Sequence, residues 1–197
     1  MKYKFVFIDV DGVLRDFVVK MREIFTRDFP DEKILREDLY DLRNWSTLGD
    51  KIFPWVTDGA SAKEMFLDSY PFGKSLDTLK KWLSLTQNDV QFAIITRQIG
   101  DRIEWTREWL EKHGIDGKIP VHYTTDKVAV MKNIIPSARG KSPEIPFSQA
   151  VLLDDSPHEL DEALKAGAGA VCVDRTWNRG WKGRRIKDLS EFDPFQE

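Results

Sequence analysis

Two aspartates one residue apart, Asp9 and Asp11, followed at once by Gly12, interrupt an apolar run that begins near the N-terminus. A second pair, Asp154 and Asp155, closes the run LLDD. Carboxylates do not belong inside a buried strand, but they can stand at its carboxyl end, where parallel sheets open into a ligand crevice. Residues 9 and 11 share one side of an extended backbone, because side chains alternate with period two. Four carboxylates converging at neighbouring strand ends repel one another unless a cation neutralises them. The implied chemistry is a hard divalent ion, and Mg²⁺ suits a site that combines one or two carboxylates with water and a substrate phosphate. Thr96, at the end of the run IIT, offers a hydroxyl to a phosphate oxygen. Lys127, after TTD at the start of a predicted helix, offers a cation that could hold Asp9 and the phosphate together. Each stretch alone has a plainer account. Asp-x-Asp-Gly is a common turn, a strand-end threonine is often a cap, and a lysine is normally solvated.

The elements that must position these residues follow from periodicity. Short apolar runs at 3–8, 90–95, 118–122, 150–153 and 170–173 alternate with amphipathic stretches, the pattern of a parallel sheet covered on both faces. Helices are predicted over 75–85, with Leu76, Leu79, Trp82 and Leu83 on one face, over 101–113, ending at Gly114, and over 159–166. The first two runs lie much further apart than one crossover requires. An insertion is therefore expected, drawn as a small helical cap over 29–70 with helices at 31–42 and 61–70. The core is drawn as 1–28 and 71–197. Residues 135–147, with Gly140 and prolines at 136, 143 and 146, read as a loop.

Composition narrows the function classes. The 197 residues suffice for one core with an appendage. A net charge of −3 supplies no global basic field, which disfavours nucleic acid as a partner and requires any phosphate to be held locally. The N-terminal apolar run ends at Asp9, too short for a signal peptide or a membrane span. The single cysteine, Cys172, forms no internal disulfide, and the expected compartment is the cytoplasm. Oligomeric state stays open. No zinc-ligand spacing links His113, His122 and His158.

Taken together, DVDGV at 9–13, IIT at 94–96, the lysine at 127 and LLDD at 152–155 resemble the four ordered motifs of the haloacid dehalogenase-like superfamily, chiefly phosphatases. Within it, DGVLRDF at 11–17, YPFGKSLDTLKKW at 70–82, EWTREWLEKH at 104–113, TTDK at 124–127 and DRTWNRG at 174–180 are similar to the 5'(3')-deoxyribonucleotidase branch. The resemblance implies an α/β modified Rossmann fold, central strands ordered 5-4-1-2-3 and a helical cap after the first motif. It implies Asp9 as nucleophile and Asp11 as the acid and base. Mg²⁺ would be held by Asp9, the Asp11 carbonyl and Asp154, with Asp155 as an outer metal partner. Thr96 and Lys127 would bind the phosphate, and Arg97, Phe17 and Trp45 are counted with the substrate-binding residues.

Lys132 and Lys141 compete with Lys127 for the motif lysine. Arg15 departs from relatives, which commonly carry a small residue there, and either contacts substrate or forms a surface ion pair. Phe17, Trp45 and Trp55 either line the pocket or pack the cap, and the basic residues from Arg175 to Lys187 read as a solvated surface. The expected activity is hydrolysis of a small phosphate ester, a (deoxy)nucleoside 5'-monophosphate being the leading candidate. The rivals are a nucleic-acid-end or phosphoprotein phosphatase of the same fold, and a binding or regulatory module without turnover. Asp11, the acid that an alkoxide leaving group needs, disfavours a dehalogenase.

Overall fold

The computed structural model describes residues 3–38, 41–85, 89–137 and 146–196. The apolar runs form strands β1 (Phe5–Ile8), β4 (Gln91–Thr96), β5 (Val121–Tyr123), β6 (Ala150–Asp154) and β7 (Gly169–Val173). A short strand β2 (Arg15–Asp16) pairs antiparallel with β3 (Tyr70–Pro71). The main sheet has the order β5-β4-β1-β6-β7-β8, where β8 is Arg184–Ile186, and every neighbouring pair in it is parallel. The five strands formed by the apolar runs, numbered along the chain, stand in the expected 5-4-1-2-3 order.

Period-two alternation divides the core between the faces of the sheet. Val6, Ile8, Ile94, Val151 and Leu153 pack with Leu76, Leu79 and Trp82 of α4 (Ser75–Ser84) and Trp109 and Leu110 of α5 (Arg102–Lys112). On the other side Phe5, Phe7, Ala93, Ile95 and Leu152 pack with Met131 and Ile135 of α6 (Lys127–Ser137) and Ala163 of α7 (Pro157–Lys165). Since both faces are covered, the strands read as unbroken apolar runs.

Between β2 and β3 the described residues form three α-helices, α1 (Phe17–Asp28), α2 (Ile52–Thr57) and α3 (Gly59–Asp68), with short 3-10 turns at Leu42–Asn44 and Gly49–Lys51. They share an apolar cluster built from Met21, Ile24, Phe25, Trp45, Ile52, Val56, Met65 and Phe66. By these contacts α1 belongs with the helical layer, and β2 with β3 ties together the points where the chain leaves and re-enters the sheet domain.

Three expectations need correction. Residues 31–38 are not helical: Ile34 bridges Ser46 antiparallel, and Leu35 donates its backbone N–H to the Trp45 carbonyl, so the backbone bonds that a helix would use go to a distant segment. The predicted loop at 135–147 begins later, because α6 runs to Ser137. The basic tail is not wholly surface, since Arg184–Ile186 adds a parallel edge strand to β7.

Candidate active site

The site forms where β1, β4 and β6 end. The Asp9 N–H still bonds the Leu153 carbonyl at 3.0 Å, so the carboxylate is fixed at the last ladder position. The chain then turns back, with the N–H groups of Leu14 and Arg15 both bonding the Val10 carbonyl. Gly12 adopts a φ of 76°, and a Cβ there would lie 2.2 Å from Asp155 Oδ2. Only glycine lets the turn lie against β6's acidic end. Asp126 Oδ1 accepts from the N–H of Ala129 and caps the start of α6, directing Lys127 inward.

Thr96, Lys127, Asp9, Asp154 and Asp155 are all buried. Lys127 Nζ donates to Asp154 Oδ2 at 2.6 Å and lies 3.0 Å from Asp9 Oδ1. The other Asp154 oxygen accepts from the Ser156 N–H at 2.9 Å. Burial pushes the Asp9 carboxyl up to about 7, with Lys127 opposing the rise and Asp154 and Asp11 adding to it. Burial also drives Asp155 well above the usual carboxylate range, with Asp154 and Asp9 adding and Arg175 and Lys127 opposing. For Lys127, burial works against the charge, but Asp154 and Asp9 outweigh it and raise its pKa.

One cation is thus set among three buried acids. Beyond the Lys127 ammonium 3.0 Å away, Asp9 Oδ1 has no hydrogen-bond partner. Asp9, Asp154 and Asp155 each bring a carboxylate oxygen within 4.8 Å of the others. An unsatisfied buried oxygen in a group of converging oxygens fits a hard divalent cation.

Of the competing lysines, Lys132 is exposed on α6 near the Phe147 ring, and Lys141 lies outside the described residues. Asp11 is half-buried, held by Arg15 at one oxygen and Gln98 at the other. Sequence reasoning passed over Gln98 and read the basic residues of a segment that follows β7 as a solvated surface. There the Arg175 Nε donates to the Gly12 carbonyl at 2.8 Å, the Trp177 Nε1 to Asp155 Oδ2 at 3.0 Å, and the Asn178 side chain to the Asp155 carbonyl at 2.8 Å. The only signal for it was the stretch DRTWNRG.

A cavity of about 900 Å³ opens over Asp11, Gly12 and Asp155 and is walled by Phe17, Met21, Trp45 and Phe66 from the helical layer, with Arg97 and Gln98 at its edge. Its volume falls within the range of small-ligand sites. Phe17 packs edge-on against Phe66. Trp45 is buried against Phe25 while still lining the cavity. Arg97 is exposed and pairs with Glu159 at 3.2 Å. Trp55 is a packing residue, set edge-on to Phe25 and Phe29 and donating its indole N–H to Asp28.

The sheet order and helical insertion, with acidic residues at the ends of β1 and β6, define a haloacid dehalogenase-like hydrolase. Similar solved structures include a haloacid dehalogenase-like family hydrolase from Streptococcus pneumoniae, 12% identical with a TM-score of 0.62, covering 94% of this chain and 93% of that one. A magnesium-bound structure of YfnB from Bacillus subtilis is 11% identical with a TM-score of 0.59, covering 97% of each chain. The L-2-haloacid dehalogenase from Xanthobacter autotrophicus is 11% identical with a TM-score of 0.57, covering 88% of this chain and 78% of its own. No curated protein sequence matches. The family model described as 5' nucleotidase, deoxy (pyrimidine), cytosolic type C protein matches residues 3–193, and the chain belongs to that family. It is a phosphatase of the haloacid dehalogenase-like fold. No helix among the described residues is long and apolar enough to cross a membrane.

Proposed function

We propose that the protein is a Mg²⁺-dependent phosphomonoesterase that hydrolyses (deoxy)nucleoside 5'-monophosphates through an aspartyl-phosphate. The observation that carries this reading is the cavity, which joins the acidic motif at Asp11, Gly12 and Asp155 to an aromatic wall formed by Phe17, Trp45 and Phe66. Asp9 attacks phosphorus while Asp11 protonates the leaving alkoxide. Asp11 then takes a proton from water, whose oxygen attacks the phosphorus of the acyl phosphate, releasing phosphate and restoring Asp9. Thr96 and Lys127 bind the oxygens that carry the transferred charge. Mg²⁺ held by Asp9, the Asp11 carbonyl and Asp154, with Asp155 behind them, would keep Asp9 ionised and neutralise phosphoryl charge.

The helical layer from Phe17 onward is the unit that selects the leaving group, so we draw the cap boundary at Phe17 rather than at residue 29. Stacking on aromatic faces contributes about 1–3 kcal/mol per base, which favours nucleotides over sugar phosphates about tenfold to a hundredfold. A Mg²⁺-containing phosphatase panel tests this. Deoxynucleoside monophosphates should lead, Asp9→Asn should lack turnover, and Phe17→Ala should lower kcat/KM for nucleotides while sparing p-nitrophenyl phosphate. A panel led by sugar phosphates, a 5'-phosphorylated oligonucleotide or a phosphopeptide would overturn the nucleotide assignment. Turnover retained by Asp9→Asn would overturn the mechanism.

A further inference from the structure

Arg15 fits neither of its sequence readings. It does not line the cavity, and its side chain is fully buried. Nε donates to Asp11 Oδ1 at 2.7 Å, Nη1 to the Phe66 carbonyl at 2.9 Å, and Nη2 to Thr106 Oγ1 at 3.1 Å. The guanidinium also lies over the rings of Phe66 and Trp109, at 4.7 and 5.4 Å from their centroids. One side chain therefore bonds the carboxylate of Asp11, the backbone of α3 in the helical layer, and a hydroxyl of α5 on the sheet.

A buried guanidinium is costly unless its donors are paired, and here the three pairings lie in three directions. Lysine cannot reproduce this, since its ammonium is a point charge without the rigid fork. The backbone of Arg15 is fixed as firmly as its side chain, because β2 pairs it with Pro71 and its carbonyl accepts the Gly12 N–H. The second Asp11 oxygen accepts from buried Gln98. Both oxygens are thus held by side chains, and the Arg15 contact makes the position of Asp11 depend on how the helical layer seats on the core.

We propose that Arg15 is a positioning residue for the reaction, holding the Asp11 carboxylate at the angle from which it passes a proton to the leaving group. The proposal rests on the reading of Asp11 as the acid. A structural cross-link alone would lower stability, or lower all turnover equally, whereas a positioning role acts on the step that needs the proton. General acid catalysis contributes about 10²–10⁴-fold, and it matters far less for a p-nitrophenolate leaving group than for an alkoxide.

The test measures kcat and KM for p-nitrophenyl phosphate and for the best alkyl phosphate of the panel, with thermal unfolding recorded for every variant. Asp11→Asn should raise the aryl-to-alkyl ratio of kcat by about 100-fold or more. Arg15→Met should raise it about tenfold and have no further effect on the ratio in the Asp11→Asn background, as expected for two residues acting through one proton transfer. Arg15→Lys should fall between wild type and Arg15→Met. Thr106→Val, which frees one end of the guanidinium without touching Asp11, should raise the ratio about two- to fivefold on the same scale. If Arg15→Met does not fold, Arg15→Lys and Thr106→Val decide the matter. An unchanged ratio in Asp11→Asn overturns the acid reading and this proposal with it. A raised ratio in Asp11→Asn with wild-type ratios in the Arg15 and Thr106 variants overturns the positioning role alone.

Discussion

Asp9 should make the metal-free protein less stable as pH rises. Its carboxyl goes from an ordinary 3.8 in the unfolded chain to about 7 in the folded one. Between those values the folded state binds more protons than the unfolded state, so stability falls with rising pH across that window. At about 1.4 kcal/mol per pH unit, the loss from Asp9 alone is about 4 kcal/mol by pH 8. Asp155 and Glu159, both raised by burial, act in the same direction, while His113 and His122, lowered by burial, act in the opposite direction below their ordinary range. Comparison with Asp9→Asn removes the Asp9 titration, together with its share of the rise at Asp155, because the amide cannot titrate. Urea unfolding of both proteins from pH 5 to pH 8 in chelator should show the variant gaining about 2.6 kcal/mol on wild type across that window. Mg²⁺ at 100 times its dissociation constant should restore about 2.7 kcal/mol to wild type at pH 8. A difference between the two proteins that stays flat or narrows with pH would refute both the burial argument and the stated reason for a cation.

Two substitutions test the geometry around that carboxylate. Gly12→Ala places a Cβ 2.2 Å from Asp155 Oδ2 at a positive φ, and should cost about 1–3 kcal/mol in unfolding free energy together with most of the phosphatase activity; wild-type behaviour in both would contradict the turn described here. Lys127→Met leaves Asp9 and Asp154 without their buried counter-charge and should destabilise the metal-free protein by about 3–5 kcal/mol at pH 8, whereas exposed Lys132→Ala should stay within about 0.5 kcal/mol. Equal effects of the two lysines in chemical denaturation would refute the assignment.

What the sequence made legible was whatever has its position defined locally. Asp9, Thr96 and Asp154 stand at the ends of apolar runs, and Lys127 stands at a helix start. A run that must be buried on both faces can place polar residues only at its ends, so the acidic cluster follows from the pattern, whereas the strand order was implied by the family resemblance alone. Local reading failed where a backbone or side chain is claimed by a distant partner. Residues 31–38 carry a helix-like mixture of charge and apolar residues, yet their backbone bonds go to the Ser46 region. Arg184–Ile186 reads as charge because an edge strand needs only one buried side chain, here Ile186, to hold its register.

The residues most poorly foreseen around the site are tied to distant partners. Arg15 bonds residues 51 and 91 positions away, Gln98 bonds Asp11 across 87, and Arg175 reaches Gly12 across 163. Residue type misleads there too, since arginine and glutamine are mostly exposed and carry no expectation of burial beside a carboxylate. Such residues hold the backbone and carboxylates of the candidate site in place without themselves belonging to the motifs. On the proposed reading of Asp11 as the acid, the departure at Arg15 is where this chain ties that side chain to both the helical layer and the core.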